Sequence, residues 1–130
     1  MKVLLDTCAI LWCVSDPSNL SQTARDILSH RDTEVSYSAI SAAEIACLSQ
    51  RGRISLDRHW RLWFKHFTEI NGWQAMDIDV DTLFEAYSLC DWSFQDPADR
   101  IIIGTARLHG QTIVTGDRRI LDYPHVPTIA

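Results

Sequence analysis

Residues 2–6 have the sequence KVLLD, a short apolar run that ends at an acid. A run of this length suits a strand that is buried on both faces of a parallel sheet. Strand patterns at 34–37 and 112–115 alternate with helix patterns, such as the one over Pro97–His109 that ends at Gly110. This alternation predicts an α/β fold.

The other elements follow from hydrophobic spacing and from capping residues. A helix over Gln22–Ser29 is capped by Ser21, and an alanine-rich helix covers 39–50. Asp57 is the predicted cap of an aromatic helix, and Asp79 or Asp81 the predicted cap of the next one. The remaining predicted strands cover 73–78 and 126–129.

Length and composition are those of one packed domain that covers residues 1–130. The chain is 46% hydrophobic and 22% charged, which is enough apolar material for a single core. No apolar run approaches the roughly 20 residues of a membrane span. The four cysteines form no CxxC pair, and we expect them to be reduced and buried. These features predict a soluble cytoplasmic protein without membrane contact.

Four acids fall at positions where an α/β sheet would bring them together. Asp6 ends the first strand, and Asp117 lies just beyond the 112–115 strand. Glu44 lies in the helix after the second strand, and Asp99 lies at the start of the Pro97–His109 helix. Because ligands of open α/β sheets bind at the carboxyl ends of the strands, we expect these carboxylates to converge on one cleft.

A cluster of carboxylates either raises the pKa values of its members or binds a cation. Oxygen ligands suit Mg²⁺ or Mn²⁺. These ions catalyse phosphodiester hydrolysis by activating water and by neutralising charge on the phosphate. The acids therefore predict a magnesium or manganese site with hydrolytic chemistry.

Each acid also has a purely structural interpretation. Asp96-Pro97-Ala98-Asp99 is a helix N-terminal signature, in which Asp96 would be the cap and Asp99 a first-turn acid. Ser41 and Glu44 have the spacing of a capping box, unless the helix begins earlier. Asp117 could be a turn residue or the partner of a neighbouring arginine. Asp6 is harder to explain in this way, because a buried acid needs a cation or several hydrogen-bond donors.

The segment 77–82 offers a competing chemistry. An EF-hand would need Gly and Glu where Thr82 and Ser88 stand, so calcium binding of that kind is excluded. An aspartyl phosphatase could use Asp77 and Asp79, although the strand before them is only weakly apolar. Helix capping is the better explanation for this segment.

Hydroxyl and guanidinium groups flank the acids in sequence. Thr7 and Thr115 could hold a carboxylate or a metal-bound water in place. Three arginines could contact substrate phosphates, and these are Arg100, Arg118 and Arg119. Arg100 could equally be an internal counter-ion.

Four stretches in this order, LLDTCAILW, SAAEI, DPADRIIIGTA and IVTGDRRIL, resemble the PIN domain family and specifically its VapC-like, PilT N-terminal-like branch. They cover nearly the whole chain. The resemblance implies a three-layer α/β/α sandwich with a central, mainly parallel sheet of four to five strands. It also implies a Mg²⁺- or Mn²⁺-dependent ribonuclease that leaves a 5′-phosphate and a 3′-hydroxyl.

By the same resemblance, the catalytic and metal-binding acids are Asp6, Glu44, Asp99 and Asp117, with Asp96 as the additional acid of the DPxDR motif. Gly104 stands where relatives commonly have Ala, and we expect it to loosen its helix slightly. The alternative function is a PIN-like module that binds RNA or protein without cutting. Four acids together favour catalysis over mere binding.

The resemblance further implies a homodimer and a cognate antitoxin protein, as in type II toxin–antitoxin pairs. The tryptophans supply a physical motive, because so small a core does not readily hide them all and an apolar groove would use the surplus. Those we expect to be in surplus are Trp12, Trp60, Trp63 and Trp92.

The net charge of −5 first argues against a polyanionic partner such as RNA. Placing five of the 17 acids in one metal-binding cleft leaves 12 acids against 12 bases on the remaining surface. We therefore expect RNA binding that is weak and sensitive to salt.

Overall fold

The computed structural model describes residues 1–130 and contains a five-stranded parallel sheet with seven α-helices. The strands are β1 (Lys2–Leu5), β2 (Glu34–Ser38), β3 (Gln74–Met76), β4 (Thr112–Val114) and β5 (Thr128–Ile129). The helices are α1 (Thr7–Ser15), α2 (Gln22–Ser29), α3 (Ile40–Gln50), α4 (Trp60–Ile70), α5 (Val80–Ala86), α6 (Pro97–His109) and α7 (Arg118–Leu121). No helix has the length and apolar character needed to cross a membrane.

The strand order is β3-β2-β1-β4-β5, and every neighbouring pair is parallel. The chain moves outward in one direction from β1 to β3 and then continues on the other side of β1 with β4. The switch in direction therefore lies between β1 and β4, where Leu5 pairs with Val114. In open α/β sheets, the crevice beyond the strand ends at this point is the usual ligand site.

The sheet separates two hydrophobic clusters, as a three-layer sandwich requires. Val3 and Leu5 face one cluster together with residues of α1 to α4, such as Trp63. Leu4 faces the other cluster, which contains residues of α6 and α7. Because successive residues of β1 are buried on opposite faces, the strand has a continuous apolar sequence. The predicted α/β/α fold class is confirmed.

Two helices were not expected from the sequence. Helix α1 follows β1 directly, and α7 is a short helix that begins immediately after Asp117. The predicted cap of α4 is also wrong, because His59 caps this helix by accepting a hydrogen bond from the Arg61 N–H (3.2 Å). Asp57 instead pairs with Arg58. Asp79 caps α5, as predicted, by accepting from the Thr82 N–H.

The expectations for cysteine and tryptophan burial were wrong. The cysteines are free, but three of them are exposed, and these are Cys8, Cys47 and Cys90. Trp63 and Trp92 are buried, and Trp12 and Trp60 pack against the first cluster. The two cores therefore absorb these four tryptophans between them. Much of the exposed apolar surface lies instead on α5.

Gly104 has a packing role that its sequence context did not suggest. A Cβ at this position would lie 2.8 Å from the backbone N of Ala86, closer than real Cβ contacts. The glycine therefore lets α6 approach the backbone of α5. The loosening of α6 that we expect from this glycine stays a prediction.

Candidate functional site

Asp6 lies at the junction of β1 and α1, at the switch point of the sheet. It is the N-cap of α1, where Oδ1 accepts a hydrogen bond from the Ala9 N–H at 2.8 Å. The Thr115 hydroxyl, which follows β4, donates to Oδ2. Asp6 is only 5% exposed. Its two donors explain how the sheet tolerates a buried acid at this position.

Glu44 reaches the same region from the second turn of α3. The Thr7 hydroxyl donates to its carboxylate, and Thr7 is also hydrogen-bonded to the buried Ser41 (3.0 Å). Helix α3 begins at Ile40, and Ala39 at its N-cap provides no side-chain hydrogen bond. The capping-box interpretation of Glu44 is therefore wrong, and its carboxylate is directed to Thr7 of α1 instead.

The DPxDR motif places two acids at the start of α6. Asp96 is the N-cap and accepts from the Ala98 N–H at 2.9 Å. Asp99, in the first turn, is 8% exposed and accepts from Arg119 Nη2 at 2.7 Å. Capping thus accounts for Asp96 but not for Asp99. One arginine of α7 links α6 to the loop after β4.

Asp117 pairs with a neighbouring arginine, as one of its structural interpretations had it, and it is a helix cap rather than a turn residue. It caps α7 by accepting from the Arg119 N–H at 2.9 Å. Its carboxylate also pairs with the Arg119 guanidinium, with Oδ2 at 2.7 Å from Nη2. The Asp117 N–H donates to the Thr115 hydroxyl oxygen at 2.9 Å. Thr115 therefore ties Asp6 and Asp117 together across the switch point.

Gly116 between these two residues is a position that sequence reasoning overlooked. A Cβ here would overlap the ring of Trp12, which packs directly over the backbone of the loop. The clash would come from the far edge of the indole ring, so any larger side chain at this position would require Trp12 to move. The Thr-Gly-Asp sequence was a signal, because Gly often marks a close backbone approach.

The electrostatics show that the acids lie close together and that Arg119 offsets only part of their negative charge. Burial, followed by repulsion from Asp117 and Glu44, raises the pKa of Asp6 to about 6, although hydrogen bonds from Thr115 and Ala9 oppose the rise. Burial and then Asp96 raise the pKa of Asp99 to about 6, although Arg119 opposes this. Acids from four separated stretches of the sequence therefore lie close enough to repel one another.

The pKa values of Glu44 and Asp117 shift in opposite directions. Burial raises the pKa of Glu44, with a smaller contribution from Asp96 and an opposing hydrogen bond from Thr7. The hydrogen bond from Arg119 lowers the pKa of Asp117. Arg119 is the one cation hydrogen-bonded to these acids, and it compensates mainly one of them.

The three predicted phosphate-binding arginines lie in different surroundings. Arg119 contacts Asp99 and Asp117. Arg118 beside it is largely exposed and forms a long ion pair with Asp122, with 3.7 Å between Nη1 and Oδ1. Arg100 donates to the carbonyl oxygens of Ala86 and Trp92 at 3.3 and 3.2 Å. These contacts hold the α5–α6 connection in place. They give no support to the expectation that Arg100 contacts substrate.

The donor set fits a hard divalent cation. All the acids offer carboxylate oxygens, which Mg²⁺ and Mn²⁺ prefer, and the raised pKa values mark negative charge that such an ion would offset. In this arrangement no three acid, histidine or cysteine side chains form a ready metal-binding group. The carboxylates are instead hydrogen-bonded to Thr7, Thr115 and Arg119.

Comparison with known proteins identifies the family. The PIN domain matches residues 3–126 of the chain. The chain belongs to the PIN domain family. This PIN domain is 34% identical over 123 residues to Ribonuclease VapC22 of Mycobacterium tuberculosis, covering 95% of this chain and 92% of that protein.

Solved structures agree with the fold of this PIN domain. VapBC2 from Rickettsia felis, bound to a DNA fragment from its promoter, superposes with a TM-score of 0.72 at 14% identity and covers 98% of this chain and 97% of that one. DNA-bound VapBC from Salmonella typhimurium gives a TM-score of 0.71 at 17% identity, covering 98% and 96%. At these identities the likeness concerns the fold alone.

Proposed function

We propose that residues 1–130 form a single PIN domain that acts as a divalent-metal-dependent endoribonuclease in the cytoplasm, as the toxin of a type II toxin–antitoxin pair. One observation carries the proposal above all. Acids from four separate elements meet at the switch point of the sheet, where burial raises the pKa of two of them to about 6. A module that only bound RNA would gain nothing from this concentration of negative charge. The ribonuclease relative supports the same reaction.

In this proposal Asp6, Asp99 and Asp117 hold the ion directly or through water, and Asp96 is the additional acid beside them. Bound Mg²⁺ or Mn²⁺ supplies Lewis acidity, which lowers the pKa of a water and neutralises charge on the phosphate. Glu44 would complete the shell of the ion or orient the attacking water, and burial raises the pKa of its carboxyl.

The remaining site residues position these groups. The Thr7 hydroxyl holds the Glu44 carboxylate, and the Thr115 hydroxyl holds Asp6. Arg118 and Arg119 contact the phosphates of the RNA. Both residues follow Asp117 in the sequence, and both side chains are at least partly exposed. Attack by water breaks the P–O3′ bond, so the products carry a 5′-phosphate and a 3′-hydroxyl.

The test is cleavage of structured RNA with Mg²⁺, with Mn²⁺ and with EDTA, using wild type, Asp6→Asn and Asp99→Asn. We expect EDTA and either substitution to reduce cleavage at least 100-fold. Asp81→Asn, an exposed acid in the first turn of α5, is the matched control and should cut like wild type. Equal cleavage by all variants in nuclease-free preparations would contradict the metal assignment. Binding of RNA without cleavage by wild type would favour the non-catalytic alternative.

The toxin assignment is tested in cells. The similar solved structures include VapBC and other toxin–antitoxin complexes, which supports a protein antitoxin as partner. Induced expression should arrest growth, and co-expression of the product of an adjacent reading frame should restore it. Growth arrest that is equally strong with Asp6→Asn would separate toxicity from the proposed chemistry.

Helix α5 supports the proposed homodimer. Three apolar side chains are exposed on this seven-residue helix, and they are Val80, Leu83 and Phe84; Tyr87 at its C-cap is exposed as well. An exposed apolar face of this kind suits packing against a second copy. We expect light scattering to give a dimer for wild type and a monomer for Phe84→Asp. Leu62→Asp, at a similarly exposed apolar position on α4, should remain dimeric.

A further inference from the structure

A cavity of about 260 Å³ lies between the α5–α6 connection and α7. It is slightly smaller than the sites that hold drug-sized ligands, so its volume suits a single ring system. Aromatic and charged side chains line it together, among them Trp92, Phe94, Tyr123, Arg118, Arg119 and Asp122. None of the proposed metal-binding acids belongs to its lining.

Arg119 connects this cavity to the acidic cluster. Its Nη2 lies 2.7 Å from a carboxylate oxygen of both Asp99 and Asp117. Its Cζ lies 5.0 Å from the centroid of the Phe94 ring. A single guanidinium group therefore separates the carboxylates from the aromatic lining. A phosphate held at the acids would bring the adjoining nucleotide to the cavity.

The lining suits a flat aromatic ligand. Trp92 packs edge-on against both Phe94 and Tyr123, with ring centroids 4.9 and 5.2 Å apart. Phe94 remains 40% exposed, and the Arg119 guanidinium lies over its ring. Bases of single-stranded RNA stack on aromatic rings and on guanidinium planes in the same way.

The charged residues of the lining favour a base over a purely apolar ligand. The carboxylates of Asp91 and Asp122 would accept hydrogen bonds from the amino groups of bases. Arg118 and Arg119 of the same lining are the arginines proposed above to contact the adjoining phosphates.

We propose that this cavity binds the nucleobase next to the scissile phosphate, an inference that rests on the proposed ribonuclease function. Phe94 supplies the stacking surface, and Arg119 lies between base and phosphate. The cavity then contributes to the choice of RNA, because the phosphodiester group on which the acids act is the same in every RNA.

The experiment combines protein variants with modified RNA. A cleavage site is first mapped with wild type, and short RNAs are then made with an abasic nucleotide at each position flanking it. Affinity for these RNAs is measured by fluorescence anisotropy. The parent protein is Asp6→Asn, and it is compared with the same protein carrying Phe94→Leu or Phe94→Trp. Leu108→Ala is the control, because Leu108 is similarly exposed (43%) but lies at the far end of α6.

Loss of stacking should weaken binding of intact RNA about 5- to 150-fold for Phe94→Leu. Phe94→Trp should retain affinity, and Leu108→Ala should not change it. One abasic position should weaken binding to the parent protein by a similar factor. On that abasic RNA, Phe94→Leu should have no further effect, because the partner of the ring is already missing.

The outcomes separate this inference from the proposed function. If wild type cuts RNA but no abasic position weakens binding, or if Phe94→Leu weakens intact and abasic RNA equally, the base site is refuted while the ribonuclease stands. If Phe94→Leu impairs antitoxin binding and leaves RNA binding intact, the cavity is a protein-docking site and the inference is wrong. If wild type cuts no RNA, both proposals fail. Thermal melting of each variant identifies a loss of affinity that comes from unfolding.

Discussion

Asp6→Asn should stabilise the metal-free protein at pH 8, although it removes a proposed metal ligand. Burial raises the pKa of Asp6 from 3.8 to about 6. At about 1.4 kcal/mol for each pKa unit, holding this carboxylate ionised costs the native state roughly 3 kcal/mol. Asn resembles the protonated acid and can still accept from the Ala9 N–H as the cap of α1. We therefore expect a gain of up to about 3 kcal/mol, or up to about 11 °C in Tm.

The sign of the effect depends on pH. Because the native pKa of Asp6 lies above the unfolded value, the native state binds more protons between pH 3.8 and about 6. The contribution of this group to wild-type stability is therefore complete below pH 3.8 and is lost as the pH rises through about 6. The advantage of Asn should be absent near pH 4 and full above pH 7.

The measurement is thermal and urea unfolding in EDTA from pH 4 to 8. Asp57→Asn is the control, because Arg58 lowers the pKa of that exposed acid and its removal should bring no gain at any pH. Adding Mg²⁺ at pH 8 should raise the Tm of wild type more than that of Asp6→Asn, since the ion offsets the same charge. An Asp6→Asn protein no more stable than wild type at pH 8 would refute the charge-burial reasoning.

Three other substitutions test the surroundings of the acids. Gly116→Ala should reduce RNA cleavage at least tenfold with an unchanged circular dichroism spectrum, because the new methyl overlaps Trp12; full activity would contradict this. Gly104→Ala should lower the free energy of unfolding in urea by about 1–3 kcal/mol, because its Cβ would lie 2.8 Å from the backbone N of Ala86. This cost should exceed the gain from the better helix propensity of Ala. A stabilised variant would disprove the packing role. Arg119→Gln removes the guanidinium group that pairs with Asp99 and Asp117. Calorimetry should therefore show several-fold tighter Mn²⁺ binding, and the KM for RNA should rise. Weaker Mn²⁺ binding would count against this role of Arg119.

The centre of the sheet could be predicted from sequence because β1 and β4 are largely buried. Their short, mostly apolar runs at 2–5 and 112–114 suit strands of a parallel sheet, and polar or turn residues bound them. Helix α1 could not be predicted in the same way. Its sequence TCAILWCVS is apolar on all sides, so it lacks the periodic stripe that marks a helix on a core surface.

The acids could be placed because strand ends and helix starts are visible in sequence. What the spacing could not show is which other side chain each acid would meet. The bond from Thr115 to Asp6 and the bridge from Arg119 to Asp99 join separate elements. Both depend on how close α7 and β4 come to the start of α1 and α6. The cavity at Phe94 is likewise formed by two separate segments, the α5–α6 connection and α7 with the residues that follow it.

The hydrogen bond between Thr115 and Asp6 joins residues 109 positions apart. During synthesis the N-terminal part of a chain emerges and begins to fold first. A growing chain on the ribosome therefore carries Asp6 and Glu44 long before Thr115 and Asp117 can join them. For a ribonuclease this timing is protective, because the acidic cluster is incomplete until residues 115–117 have been made and have joined Asp6.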